Sequence, residues 1–345
     1  MGHEVHLENK LIRTDLAIDM LDSYPSRDGI KTKMRQEKNC HITVVDVLKN
    51  GADIIGKKEG RYITVEFDDV TDHENQQNVL QVVTKELTEL LKEMKIPKDA
   101  SCFIVGLGNE ESTPDALGPL TIDDVLVTNH LYELDSLEDG FRKTYALTPG
   151  VMGTTGIETR ELLKGIIDEI EPDFMIVIDA LASGSIDRLN KTIQITDTGI
   201  HPGSGVNNKR KEISKEYFQI PVIAVGVPTV VDAATIVADT IHYMQMNFTY
   251  MKKRENLASN KLSVGSGNYL KKEVIPNKED KVELMGKLGL LNETEMKQLV
   301  FEALTPIGYN LMVTPKEIDF VIKKLALTIG GAINHALHEN ISFEN

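Results

Sequence analysis

The chain has 345 residues, and 38 Lys and Arg against 53 Asp and Glu leave a formal net charge of −15. Neutralising phosphates takes a surplus of Lys and Arg, so this balance excludes a nucleic-acid surface as the main function. Hydrophobic residues make up 41% of the chain, which excludes wholesale disorder, and no apolar run reaches the roughly 18 residues of a membrane helix.

The N-terminus, MGHEVHLENKLIRTDLAIDM, is charged throughout and lacks the apolar stretch of a secretory signal. The first forty residues are polar and present no core face. HITVVDVL (41–48) and RYITVEF (61–67) are rich in β-branched and aromatic residues. They read as two antiparallel strands around GADIIG, with a turn-prone KKEG at 57–60. Val79, Leu80, Val83, Leu87, Leu90, Leu91 and Met94 then recur at spacings of three and four, which predicts an amphipathic helix over 75–95, ended by Pro97. A repeated grammar follows. CFIVG (102–106) leads through a Gly-rich loop to a helix over Leu120–Leu131, and TYALT (144–148) leads through another to a helix at 157–170. FMIVIDA (174–180), TIQIT (192–196) and PVIAVGV (221–227) are further strands, the last feeding a helix from about Val230 to Phe248. Near-continuous apolar runs mark strands buried on both faces. Strands alternating with helices predict an α/β fold: a mostly parallel sheet with helices on both faces, plus appended N-terminal strands and C-terminal helices. Residues 250–310 lose the rhythm and read as a Lys- and Glu-rich helical insertion. Thr314, Pro315 and Glu317 spell a capping box, with proline at the first helical position, before an apolar-periodic run to Leu337. Cys40 and Cys102 make neither a disulfide framework nor a zinc spacing. The expected setting is cytoplasmic, with no membrane or nucleic-acid partner.

Ligands of an open parallel sheet bind where the carboxyl ends of strands meet their loops. Asp115 lies in GLGNEESTPDALGP after the 102–106 strand, and Asp179 ends the 174–180 strand. Two carboxylates over neighbouring strands suit acid/base chemistry, because like charges a few ångströms apart do not both ionise and the pair shares a proton. Each has a plainer reading as well. Asp115 in STPDALGP can cap a helix, the favoured reading for a lone Asp there, and Asp179 can bond to loop amides. Gly106 and Gly108 open like a dinucleotide fingerprint, but the third glycine is absent and Glu110 and Glu111 would repel a pyrophosphate. Gly150, Gly153 and Gly156 suit either an anion at a helix start or close packing. His201, in TDTGIHPGSGVNNKRK, joins Asp115 and Asp179 as a candidate open metal site, although a lone loop histidine is more often a surface group. Lys209, Arg210 and Lys211 suit an acidic ligand or a merely solvated run. Cys102 begins a buried strand and no G-x-S-x-G elbow is present, so a Ser or Cys nucleophile is poorly supported.

GLGN (106–109), TPDALGP (113–119), TPGVMGTTGIET (148–159), IDALA (178–182), QITDTGIHPGSGVNNKRKE (194–212) and GVPTVVDA (226–233) together resemble the spore germination protease family, atypical aspartic endopeptidases of spore-forming bacteria. The resemblance implies a fold like that of hydrogenase-maturation endopeptidases and a metal-independent aspartate pair, falling on Asp115 and Asp179. It implies no cofactor, a homotetramer, and small acid-soluble spore proteins of the spore core as substrates. It also implies a zymogen cut after a small hydroxyl residue and an acid, before a bulky apolar residue and alanine. Thr14-Asp15-Leu16-Ala17 fits that pattern, with the cut between Asp15 and Leu16 in a flexible tail. The expected organisation is a propeptide over 1–15 and one peptidase domain over 16–345. Lys209 and Arg210 are candidates to pair with the acid before the scissile bond, and His201 is a candidate supporting group. Two alternatives stand: a metal-dependent maturation-type peptidase using Asp115, Asp179 and His201, or a non-catalytic oligomer that binds spore proteins.

Overall fold

The computed structural model describes residues 14–23, 28–134, 139–203, 210–255, 274–304 and 311–341. In chain order, helix α1 (Ala17–Ser23) precedes a hairpin of β1 (Ile30–Glu37) and β2 (Cys40–Val47), then α2 (Lys49–Ile55), β3 (Gly60–Glu66) and α3 (His73–Glu93). Strand β4 (Cys102–Gly106) is followed by α4 (Leu117–Asp123), α5 (Asn129–Glu133), β5 (Thr144–Leu147), α6 (Met152–Thr155) and α7 (Thr159–Ile170). Then come β6 (Phe174–Ser183), β7 (Thr192–Thr196), α8 (Lys215–Phe218), β8 (Val222–Asp232) and α9 (Ala233–Glu255). Helices α10 (Lys278–Met285) and α11 (Glu293–Leu304), the short β9 (Met312–Val313) and α12 (Ile318–Leu337) complete the series.

Eight strands line up as β1-β2-β3-β7-β8-β6-β4-β5. The α/β reading holds, but the sheet is mixed rather than mostly parallel. Only β8, β6, β4 and β5 run parallel; β1, β2, β3, β7 and β8 pair antiparallel in turn. The reason is the link between β6 and β7, residues 184–191, which is too short for a crossover connection, so β7 returns antiparallel.

Two layers of helix cover the sheet. On one face Ile104, Ile176, Ile178, Val225, Ile195 and Ile63 pack with α3 and α12, a single core lined by Val83, Leu87, Ile322 and Ile329. On the other face Phe103, Val105, Met175 and Val177 pack with Leu163 and Ile167 of α7. Further along that second face Val45, Val47 and Tyr62 pack with Ala17 and Leu21 of α1 and with Ile55 of α2. The opening forty residues therefore do supply a core face, and β1 and α2 stand where the sequence reading has polar chain and a loop. Asp72 caps α3, its carboxylate accepting from the Asn75 N–H, and Gly56 ends α2 in the left-handed conformation. The helix expected over Leu120–Leu131 is broken into α4 and α5. The capping box before α12 is not formed: the Thr314 hydroxyl donates instead to the Thr229 carbonyl at 2.9 Å. Both cysteines are free and buried, and burial pushes the Cys40 thiol up to about 11.

The chain divides into two compact units. The larger runs over Arg13–Val231 and Val313–Asn345 and contains Asp15, Asp115 and Asp179. The smaller takes in Asp232–Met312, so it begins earlier than the insertion expected at about 250–310. Within it, Ala234 on α9 packs with Met296 and Val300 on α11, and Asp280 accepts from Thr249 and Lys252.

Candidate active site

A single row across the second face of the sheet organises the site. Register pairs Thr64 of β3 with Gln194 of β7, Gln194 with Gly226 of β8, and Gly226 with Asp179 of β6. Residues in register share a face, so Gln194 and Asp179 rise on the same side with a glycine between them. A Cβ on Gly226 would come within 2.6 Å of the Leu181 side chain, which folds over that gap.

Asp179 is 5% exposed. Burial first, then the charges of Asp115 and Asp15, hold its carboxyl well above the ordinary range, while the Ala180 N–H and Arg210 act in the opposite direction. Asp115 closes a short helical turn, Thr113–Asp115, reached from the end of β4. Its carboxylate accepts from the Asn109 N–H at 2.9 Å, and the Thr229 hydroxyl at the far end of β8 pins the turn through the Pro114 carbonyl at 2.6 Å. Burial raises Asp115 too, opposed by the Asn109 bond and by Arg210. The Asp115 charge thus helps to raise Asp179, and the positive charge of Arg210 opposes the rise of both. The capping role considered for Asp115 is not the one adopted, since its carboxylate turns back to the β4 loop.

The chain from Thr14 to Ile18 lies on this face. The Asp15 N–H donates to the Ala182 carbonyl at 3.0 Å, and the Asp15 carboxylate accepts from the Ala182 N–H at 2.9 Å. The Asp15 carbonyl accepts from Lys57 Nζ at 2.9 Å and from Gln194 Nε2 at 3.3 Å. On the other side of the Asp15–Leu16 peptide, the Ala17 N–H donates to Gln194 Oε1 at 2.7 Å. Leu16 is fully buried against Ile18, Leu181 and Ile200. Thr14 donates its hydroxyl to Asp19, which is also held by Arg188 and by the Gly184 N–H at 2.7 Å. Thus Asp15 and Leu16 do not sit in a flexible tail; backbone pairing and apolar burial fix them, and the part of the expected propeptide before Thr14 lies outside the described residues. A cavity of about 200 Å³ beside Asp15 is lined by Lys57, Lys58, Tyr62, Thr196 and His201 among others.

His201 is exposed, with Nε2 3.5 Å from Glu212, and Lys58 pairs with the same carboxylate group. Among the described residues no group of three or more His, Cys, Asp or Glu is arranged to hold a metal ion. The candidate metal set of Asp115, Asp179 and His201 is not brought together. Lys209 lies outside the described residues. None of the described helices is long and apolar enough to cross a membrane.

The sequence profile of the germination proteases matches residues 8–345 of this chain. The chain belongs to the germination protease family. Germination proteases of Bacillus velezensis and Priestia megaterium are 45% and 44% identical to it, each alignment covering 100% of this chain and 98% of the relative. That of Bacillus subtilis is 45% identical over 99% of this chain and 97% of its own length. A solved NiFe hydrogenase maturation protease, HycI from Thermococcus kodakarensis KOD1, covers 42% of this chain and 80% of its own at 20% identity, with a TM-score of 0.28. As a member of this family the chain is a peptidase, a hydrolase.

Two residues at this site escape the sequence reading. Lys57 is hidden in a KKEG string that reads as an exposed turn, and it carries no signal of its own. Gln194 did carry one: it is the single amide in TIQIT, a strand whose other positions are apolar or hydroxylic.

Proposed function

We propose that this germination protease is made as a precursor that cuts itself between Asp15 and Leu16 and then initiates the breakdown of small acid-soluble spore proteins in the spore core. The single observation that carries this reading is the seat of the Asp15–Leu16 peptide on the face that bears Asp179, with the Asp15 charge felt by the Asp179 carboxyl. Asp115, with the Asn109 N–H and Arg210 favouring its charged form, is the base that takes a proton from water. Asp179, buried and raised further, is the acid that protonates the leaving nitrogen of Leu16. No covalent intermediate forms. The pattern of small hydroxyl, acid, bulky apolar residue and alanine is supported by the contacts of the Thr14 hydroxyl with Asp19, the Asp15 carboxylate with the Ala182 N–H, Leu16 with Leu181 and Ile200, and the Ala17 N–H with Gln194. A homotetramer is part of this proposal. Phe320 and Leu327, seven residues apart on α12 and 56% and 45% exposed, are apolar surface of the kind such an assembly covers.

Intact-mass measurement on the full-length chain shifted to mildly acidic buffer tests the reading. A new N-terminus at Leu16 is expected in the wild type, and Asp115→Asn or Asp179→Asn is expected to slow its appearance by ~100-fold or more, the usual size of an acid/base contribution. Unchanged self-cleavage in both variants overturns the assignment. Processed protein that leaves a peptide containing Thr-Glu-Phe-Ala intact points instead to a binding protein.

A further inference from the structure

We infer that Lys57 and Gln194 are catalytic residues for the hydrolysis, binding the oxygen of the scissile carbonyl as it takes on negative charge. The inference rests on the Asp15–Leu16 bond being the one cut. Lys57 Nζ stands 2.9 Å and Gln194 Nε2 3.3 Å from the Asp15 carbonyl oxygen, and both donate to it. When water adds to the carbonyl carbon, the π-electron pair of C=O moves onto that oxygen, and the water proton passes to Asp115. The resulting oxyanion faces an ammonium and an amide already aimed at it, which need no reorganisation. Collapse restores C=O, breaks the C–N bond and delivers the Asp179 proton to the Leu16 nitrogen. The products are the Asp15 carboxylic acid and the Leu16 amine, and proton exchange between the two aspartates resets the pair.

Geometry gives the two donors separate tasks. Gln194 sits in the middle of β7, and its amide spans the bond, donating to Asp15 on one side and accepting from Ala17 on the other. It fixes the peptide across the row. Lys57 follows α2 at Gly56 and reaches the same oxygen from the edge of the cavity beside Asp15, also touching the Thr14 carbonyl at 3.4 Å. It brings the only full charge seen to touch that oxygen among the described residues. Asp15 and Asp19 favour its charged form, but burial outweighs them and draws its pKa below the ordinary value. Lys58, paired with Glu212 and Glu216, and His201 line the same cavity. In a peptidase with its own carbonyl-binding groups, the aspartate pair is left free for water and the leaving amine.

The test follows self-cleavage of the full-length chain as a first-order process, across a range of pH, in wild type, Lys57→Met, Lys57→Arg and Gln194→Glu. Losing one such donor is expected to cost Lys57→Met ~100-fold or more in rate. Gln194→Glu keeps the acceptor for Ala17 but removes the donor, and a slowing of ~10-fold or more is expected. Lys57→Arg retains charge, so it should keep more activity than Lys57→Met, and the fall in wild-type rate at alkaline pH should move to higher pH. A change confined to folding would not move that limb. Wild-type rates in Lys57→Met and Gln194→Glu, with Asp115→Asn and Asp179→Asn inactive, overturn this inference and leave the aspartate mechanism standing. Should Lys57→Met fail to fold, an alkaline limb in Lys57→Arg that coincides with the wild type's overturns it equally. Absence of the Asp15–Leu16 cut in the wild type overturns both.

Discussion

Asp179 shows at the scale of one residue how a buried carboxyl is held at the expense of stability. Its carboxyl is raised by burial and by the neighbouring Asp115 and Asp15 charges. Between the ordinary value of 3.8 and the raised one, the folded chain therefore binds more protons than the unfolded chain. Stability contributed by this group is present at low pH and falls as pH rises through that window. Each pH unit over which the carboxyl stays protonated is worth about 1.4 kcal/mol. Asp179→Asn removes the charge, keeps an oxygen for the Ala180 N–H that now bonds Oδ1 at 3.0 Å, and offers an amide to the nearby carboxylates. The variant is expected to be more stable than the wild type at neutral pH by on the order of 1 to 3 kcal/mol. Thermal unfolding at pH 7.5 and again near pH 3 checks this, because the gain must vanish where the wild-type group is protonated. An equal gain at both would mean that packing, not charge, is responsible.

Among the elements, the turn that carries Asp115 depends on a glycine in the loop after β4. Gly108 has φ +113°, and a Cβ there would lie 2.0 Å from the Asp115 carbonyl oxygen, a backbone atom that cannot step aside. Gly108→Ala is expected to destabilise the chain by about 1–3 kcal/mol and to slow self-cleavage beyond what the loss of folded protein explains. Circular dichroism for stability and the rate per folded molecule separate the two effects. The legible and illegible parts of the chain divide along the same line. Strands such as CFIVG and FMIVIDA are apolar enough to announce burial on both faces, and α3 announces itself by its spacing. The carboxyl ends of β4 and β6 then follow from the strand list, which is why Asp115 and Asp179 could be singled out. The direction of β7 was readable too, in the shortness of the chain after Ser183. By contrast β1, IKTKMRQE, is largely exposed and polar, so only pairing with β2 reveals it. Lys57 owes its place to the end of α2 and to a cavity, neither of which leaves a pattern in sequence.

Across the whole larger unit, the proposed cut changes how the chain before Leu16 is held. Before it, the peptide up to Asp15 is tethered to Leu16, and its bonds to Ala182, Lys57 and Gln194 form within one molecule. After it, the fragment ending at Asp15 must bind as a separate solute. Hydrogen bonds of this kind contribute about 1 kcal/mol each, somewhat more when charged. Once the tether is cut, bonds of this size must also meet the entropy of association of a separate solute. The fragment ending at Asp15 is expected to leave after the cut. Helix α1 stays, because Ala17 and Leu21 pack with Val45, Val47, Ile55 and Tyr62 independently of that peptide. Departure strips the Ala182 N–H of its Asp15 acceptor and uncovers the row of Gln194, Gly226 and Asp179 for a substrate. Hydrogen exchange before and after processing is expected to quicken at Ala182 by ~10-fold or more, since a bond of about 1.4 kcal/mol corresponds to that factor. Met175 and Val177 in the interior of β6, and the amides of α1 beyond its first turn, should keep their slow exchange. Unchanged protection at Ala182 after the cut would mean that the fragment remains seated and that the site does not open by its loss.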